Sequence, residues 1–274
     1  MAFDELSEIG IVQFVERQRA LKSLWGFVHI PKTAGMSLIS AMSDACGPHR
    51  KISAESYLVG MDEFSASLWN AVREFVDVQR FGIKEHYKSF SGHIRRVHTD
   101  YIRGEIPEVR IFAMLRDPAK RVVSDYRYCL TPAHPPHEEF LRRFPTLMDY
   151  VVDRRYQNIM TKCLAPSSDM NPEEVIKSIT THFDFIGITE MFEFSVTAIF
   201  RMMGLSSPTV ERLNVTTATA RNALEVDSQV MEAIRRINHL DHALYRHVHA
   251  VLSSQREAWW AHVRSQLKGI QGIN

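Results

Sequence analysis

The sequence predicts an α/β protein with a mostly parallel central sheet flanked by helices in three layers. Three observations lead there. The short apolar runs WGFVHI (25–30), VRIFAML (109–115) and FDFIGI (183–188) have the length and the β-branched or aromatic content of buried strands. Helical patterns lie between them, and alternating strand and helix signals are the mark of a parallel sheet built through helical crossovers. The chain of 274 residues, 45% hydrophobic and 24% charged, is ordinary in composition and long enough to bury a substantial core as one large domain.

Taken in order, residues 4–22 read as one amphipathic helix, with Ile9, Val12, Phe14, Val15 and Leu21 on its apolar side. The first strand, from Trp25, ends at Pro31. Ser37 is placed to cap a helix through SLISAMSDAC, which Gly47-Pro48 stops. After the strand at 109–115, Asp117 is a good N-cap and Pro118 suits the first helical position, so a helix runs to about Tyr128. TPAHPP (131–136) must be a loop. Pro172 opens another helix. The strand at 183–188 is followed by a helix from Glu190 to Met203, ended by Gly204. The remainder is helical, with Leu240, Leu244, Val248 and Leu252 as one stripe.

Charge and cysteine content narrow the function. Lys and Arg number 33 against 32 Asp and Glu, so no global field draws nucleic acid, and anion recognition has to be local. Cys46, Cys129 and Cys163 are odd in number and have no paired ligand spacing, which suits a reducing compartment and argues against a zinc site. The N-terminus has early acidic residues and no long apolar run, so the expected location is cytoplasmic.

Two segments carry chemistry. In FVHIPKTAGMS (27–37), strand, tight loop and helix start follow one another. A helix N-terminus holds a phosphate through its unpaired N–H groups, Gly35 lets the backbone close, and Lys32 adds a mobile charge. A plain strand-to-helix turn with a surface lysine explains the segment equally well. It is not a Walker loop, because Lys32 precedes Gly35 instead of following the last glycine. In RDPAKRVVSDY (116–126), Arg116 leaves the carboxyl end of a strand, where open α/β sheets bind ligands, and Ser124 lies about two turns into the helix. Guanidinium and hydroxyl suit a terminal phosphate. The competing reading is an Arg116–Asp117 capping arrangement with Ser124 as filler.

As a pair, HIPKTAGMSL followed by RDPAKRVVSDY resembles the nucleotide-binding motifs of PAPS-dependent sulfotransferases (PAPS is 3′-phosphoadenosine 5′-phosphosulfate). It is most similar to the carbohydrate branch containing heparan sulfate 2-O-sulfotransferase and its bacterial relatives. The resemblance implies a P-loop-like three-layer fold over residues 1–274. Within it would lie an N-terminal helix at 1–23, a nucleotide-binding and catalytic core at 25–251 and a C-terminal helical tail at 252–274. It implies that Lys32, Thr33, Ala34, Gly35, Met36 and Ser37 hold the 5′-phosphosulfate, and that Arg116 and Ser124 hold the 3′-phosphate. Met36 stands where the family usually has threonine, which shifts contacts to backbone N–H groups and Ser37. FSGHI (90–94) resembles the family's Gly-His segment bearing the catalytic base, YQNIMT (156–161) its Asn-x-x-Thr stretch and FIGITE (185–190) its Gly-x-Thr-Glu segment. Leu213 to Thr217, with Asn214 and Thr216, lies where a late loop closes over the nucleotide, and NHLDHALY (238–245) resembles the terminal helix.

The expected reaction is in-line transfer of the sulfuryl group from PAPS to a hydroxyl of a carbohydrate or glycolipid, releasing PAP, with no metal. His93 is the candidate base and Lys32 the stabiliser of the leaving oxygen. His86 and His98 are the rival bases. The alternatives are a nucleotide kinase-like phosphotransferase and a non-catalytic nucleotide-binding protein. Arg95-Arg96, Arg142-Arg143 and Arg154-Arg155 are either saccharide contacts or solvated surface. The Trp259-Trp260 pair leaves peripheral membrane contact, or a partner subunit in a homo-oligomer, open beside core packing.

Overall fold

A computed structural model describes residues 1–21, 23–54, 61–82, 86–134, 137–208 and 226–271. Its centre is a sheet of five strands, β1 (Trp25–Val28), β2 (His49–Ile52), β3 (Ser89–Gly92), β4 (Arg110–Leu115) and β5 (Phe185–Ile188), in the order β2-β3-β1-β4-β5. Every pairing is parallel, with Val28 opposite both Gly92 and Ala113, and Leu115 opposite Ile188. The carboxyl ends of β1, β3, β4 and β5 therefore share one edge.

Helices flank the sheet. In chain order they are α1 (Leu6–Ile9), α2 (Ile11–Arg19), α3 (Gly35–Ala45), α4 (Met61–Phe81), α5 (Arg96–Glu105), α6 (Pro118–Cys129) and α7 (His137–Arg143). They continue with α8 (Leu147–Val152), α9 (Ile159–Leu164), α10 (Pro172–Thr180), α11 (Phe192–Met202), α12 (Ser228–Ile237) and α13 (His239–Gln271). The main core holds Phe27, Phe90, Phe112 and Phe185 from the sheet, together with the buried α13 stripe Leu240, Leu244, Val248 and Leu252. Tyr126, Phe140, Phe144 and Tyr150 centre a second cluster between α6, α7, α8 and α12.

Several elements depart from expectation. The N-terminal helix is broken: a 3-10 turn (Phe3–Glu5) leads into α1, and Gly10, at φ 75°, separates α1 from α2. Ser37 is not the cap of its helix. The helix begins two residues earlier, at Gly35, and its N-cap is Ala34. β5 starts at Phe185, because Phe183 still bonds back to Ile179 and the Asp184 carboxylate receives Arg103, Arg110 and the N–H of Ile111. Trp259 is fully buried, its ring 6.1 Å from that of Phe194, so core packing accounts for it and membrane contact does not.

Two strands escaped the sequence reading because they are polar. In SFSG (β3) all four residues are buried. The Ser89 hydroxyl donates to the Cys46 carbonyl at 2.7 Å and accepts from His49 Nδ1 at 2.7 Å; the Ser91 hydroxyl meets His49 Nε2 at 2.9 Å. One histidine on β2 thus satisfies two buried hydroxyls of β3, which makes a polar strand tolerable inside.

Candidate active site

The site is built at the carboxyl edge of the sheet. Beyond β1 the chain continues through His29, whose N–H donates to the Gly92 carbonyl at 2.9 Å, and then turns tightly into α3. The turn needs left-handed backbone at two residues that carry side chains, Lys32 (φ 70°) and Ala34 (φ 60°). Such geometry costs roughly 1–3 kcal/mol per residue and persists where the surroundings enforce it. Here the buried Thr33 hydroxyl donates to the Ile30 carbonyl at 2.9 Å, and Arg116 Nη1, arriving from the end of β4, donates to the Lys32 carbonyl at 3.0 Å. Arg116 thus ties the two motifs together, 84 residues apart.

Gly35 does not supply the turn's unusual dihedrals. It makes room: a Cβ there would lie 2.1 Å from Cδ2 of the His29 ring. Met36 is 42% exposed and Ser37 is buried, both in the first turn of α3, whose N-cap makes no side-chain hydrogen bond. That cap is an alanine, so no side-chain oxygen of the N-cap competes with an anion at the start of α3.

Lys32 is held by α6. Its ammonium lies 4.3 Å from the centroid of the Tyr128 ring, and the Tyr128 hydroxyl donates to the Ala133 carbonyl. Burial pulls the Lys32 pKa below its usual range, and Asp125 opposes that shift. Asp125 Oδ2 accepts from Tyr150 OH at 2.8 Å and from the fully buried Arg121 at 3.0 Å. Ser124, half-buried, precedes it on the same helix. The Asp117 side chain accepts from the N–H of Lys120, as an N-cap should.

His93 is the first residue past β3. Its Nδ1 lies 2.7 Å from the His29 carbonyl oxygen. A carbonyl only accepts, so Nδ1 carries the proton and Nε2 keeps its lone pair. Burial lowers the pKa of His93, with the bond to His29 acting in the opposite direction. The imidazole is accordingly neutral at pH 7.

A sequence profile described as the Sulfotransferase family matches residues 26–247. The chain belongs to the sulfotransferase family. The crystal structure of a sulfotransferase from Alicyclobacillus acidocaldarius is similar at 15% identity and a TM-score of 0.46, covering 85% of this chain and 98% of that one. No curated protein matches the sequence.

In this sulfotransferase the rival histidines are placed differently from His93. His98 is buried against Trp69, its Nδ1 accepts from the N–H of Arg95, and its Nε2 has no partner; burial brings its pKa to about 4. His86 is exposed and precedes the amino end of β3, so it lies at the far end of that strand from the turn between β1 and α3. Gly92 gives close approach to a neighbouring strand and not to a substrate, because a Cβ there would sit 2.4 Å from the Ile52 carbonyl oxygen.

The remaining motif matches are structural in this fold. Asn158 Oδ1 accepts from the N–H groups of Leu240 and Asp241, while the Asp241 carboxylate accepts from the N–H groups of Met160 and Thr161 and from the Thr161 hydroxyl. Thr189 donates to the Leu115 carbonyl, and Glu190 accepts from the N–H of Asp117. Asn214 and Thr216 lie outside the described residues. Among the described residues no group of three or more His, Cys, Asp or Glu is placed to hold a metal, and no helix is long and apolar enough to cross a membrane. The sequence reading missed His29, Tyr128 and Asp125. Asp125 and Tyr128 were legible only as neighbours three residues apart on α6.

Proposed function

We propose that this sulfotransferase moves the sulfuryl group of PAPS to a hydroxyl of a carbohydrate or glycolipid, with His93 as base, acting in the cytoplasm. The observation that carries the reading is the 2.7 Å bond from His93 Nδ1 to the His29 carbonyl, which leaves Nε2 unprotonated on a ring stacked 4.3 Å from that of His29. Residues of the loop between β1 and α3 fit a phosphosulfate anion. The start of α3 has no side-chain cap, and the partly desolvated Lys32 rests on an aromatic face. PAPS, when bound, supplies the sulfuryl group and departs as PAP.

The protein's own residues divide the work. His93 Nε2 takes the proton of the acceptor hydroxyl, and the resulting imidazolium is stabilised by a bond that becomes charge-assisted. Lys32 and the N–H groups of α3 stabilise charge developing on the leaving oxygen. Arg116 donates one N–H to the Lys32 carbonyl and has further donors for the 3′-phosphate, and Ser124 of α6 supplies a hydroxyl to the same group. The motif resemblance supports the carbohydrate acceptor, and the geometry supports the roles given to His93, Lys32 and Arg116.

Calorimetry with PAP, with the same nucleotide lacking its 3′-phosphate and with Mg-ATP tests the donor site. PAP should bind best. Arg116→Ala should weaken PAP by about tenfold or more, because a charge-assisted hydrogen bond contributes about 1.5–3 kcal/mol, and should weaken the truncated nucleotide less, since that ligand feels only the lost contact to the Lys32 carbonyl. Equal losses for both would remove Arg116 from this role. Radiolabelled PAPS screened against cell-extract glycans tests the acceptor, and labelling confined to non-carbohydrate material would refute that assignment.

A further inference from the structure

One side chain joins the base to the phosphate loop without belonging to either role. The His29 ring is the third member of an aromatic column rising from the core. Phe112 stacks on Phe27 (5.2 Å between centroids, 21° between planes), Phe27 on His29 (5.7 Å, 22°) and His29 on His93 (4.3 Å, 25°). The edge of the ring bearing Cδ2 and Nε2 lies over Gly35: a Cβ at that position would be 2.1 Å and 2.3 Å from those atoms. His29 is therefore wedged between the base and the first residue of α3. Its backbone carbonyl receives the His93 proton donor, so ring and carbonyl act on the same partner.

We propose that His29 is a positioning residue for sulfuryl transfer: its carbonyl holds His93 in the Nδ1–H tautomer, and its neutral ring sets the spacing between His93 and the N-terminus of α3. The inference rests on His93 being the base.

The spacing matters because in-line transfer fails when the base and the anion site move apart by even an ångström. The neutrality matters because His93 becomes cationic when it accepts a proton, and an uncharged π-face beside it is attractive where a second cation would repel. Burial, then the neighbouring charges of His93, Lys51 and Lys32, brings the His29 pKa to about 3. The charged groups that bear on His93 itself are Lys51 of β2 and Asp125 of α6. The packing also explains a sequence requirement. Any residue with a Cβ at position 35 displaces the ring, so the glycine of the loop and the histidine six residues before it are one device.

The test is histidine-selective nitrogen NMR of the full-length protein through a pH titration, on wild type, His29→Phe and His29→Ala. In wild type, His93 should be the Nδ1–H tautomer and titrate below 6.5. His29→Phe keeps a flat uncharged ring, so His93 should keep its tautomer and its midpoint. His29→Ala opens a cavity that admits water, and the His93 midpoint should rise toward 6.5. PAP affinity by calorimetry should change less than about threefold in the Phe variant, since the donors for the nucleotide are elsewhere. Finding His93 as the Nε2–H tautomer in wild type overturns the proposal, even if the Ala variant fails to fold. So does a fall in melting temperature in both variants with the His93 signals unmoved, which is the mark of packing alone. Normal turnover in His93→Ala would instead refute the base while leaving the NMR result standing.

Discussion

A base must be unprotonated before it acts, and His93 meets that condition through burial and through a tautomer fixed at the other ring nitrogen. The sign of the pH dependence follows. Its pKa is lowered, so kcat/KM rises with pH on a limb whose midpoint lies below the ordinary 6.5, and it levels off above that midpoint. His93→Ala should lose about 10²–10⁴-fold in turnover while keeping PAP affinity and melting temperature. A melting temperature that falls in step with activity would make His93 a packing residue instead. At this scale the sequence was informative wherever a role depends on a residue's neighbours in the chain. The proposed roles of His93, Lys32 and Arg116 were suggested by the motifs in which they stand. That of His29 was not, because its role depends on Gly35 and His93, and no spacing in the chain says that a ring will stand between them.

Elements show the same division. β1, β4 and the cap at Asp117 were legible, because apolar runs and capping chemistry are local. β2 and β3 were not, since the burial of SFSG is possible only through His49, some 40 residues earlier. That strand pairing depends on glycine. Gly92→Ala should destabilise strongly, by about 2 kcal/mol or more, because the added methyl meets the Ile52 carbonyl of β2 at 2.4 Å. Gly104, exposed in α5, is the control, since a methyl added there would have nothing within 4 Å. Gly104→Ala should stabilise by about 0.5–1 kcal/mol, and chemical denaturation of the two variants side by side decides both. The α9–α13 junction is a second such joint, where Asn158 at the start of α9 caps α13 and Asp241 in the first turn of α13 caps α9. Asp241→Ala strands two N–H groups and a hydroxyl in a fully buried site. At about 1–3 kcal/mol for each unsatisfied group, the variant should lose at least about 3 kcal/mol. Asp241→Asn, which keeps acceptor oxygen, should lose less. Equal losses would show that the charge and not the capping matters.

Over the whole molecule, buried neutral histidines set the acid limit. Burial is the largest cause that brings His29 and His182 each to about 3, against an ordinary 6.5. Between those values the unfolded chain binds the extra protons, so stability is complete above about 6.5 and is lost as the pH falls. The slope approaches about 1.4 kcal/mol per pH unit for each histidine. Urea unfolding between pH 7 and 4 should therefore show proton uptake of up to about two from this pair, and His29→Phe should remove about one of them. An unchanged slope in that variant would mean that His29 is protonated in the folded protein. The strand order has a different consequence, for the path by which the chain reaches its fold. β1 lies at the centre of the sheet, yet its neighbours are β3 and β4, with Trp25 opposite Ser89 and Arg110. During synthesis the first strand to emerge has nothing to pair with until residues far along the chain have followed it. Its backbone groups and its apolar side chains Trp25, Phe27 and Val28 must wait through two long loop closures. The nascent chain is then most exposed to aggregation while its central strand is made but unpaired, and it is this strand that leads directly into the phosphate loop.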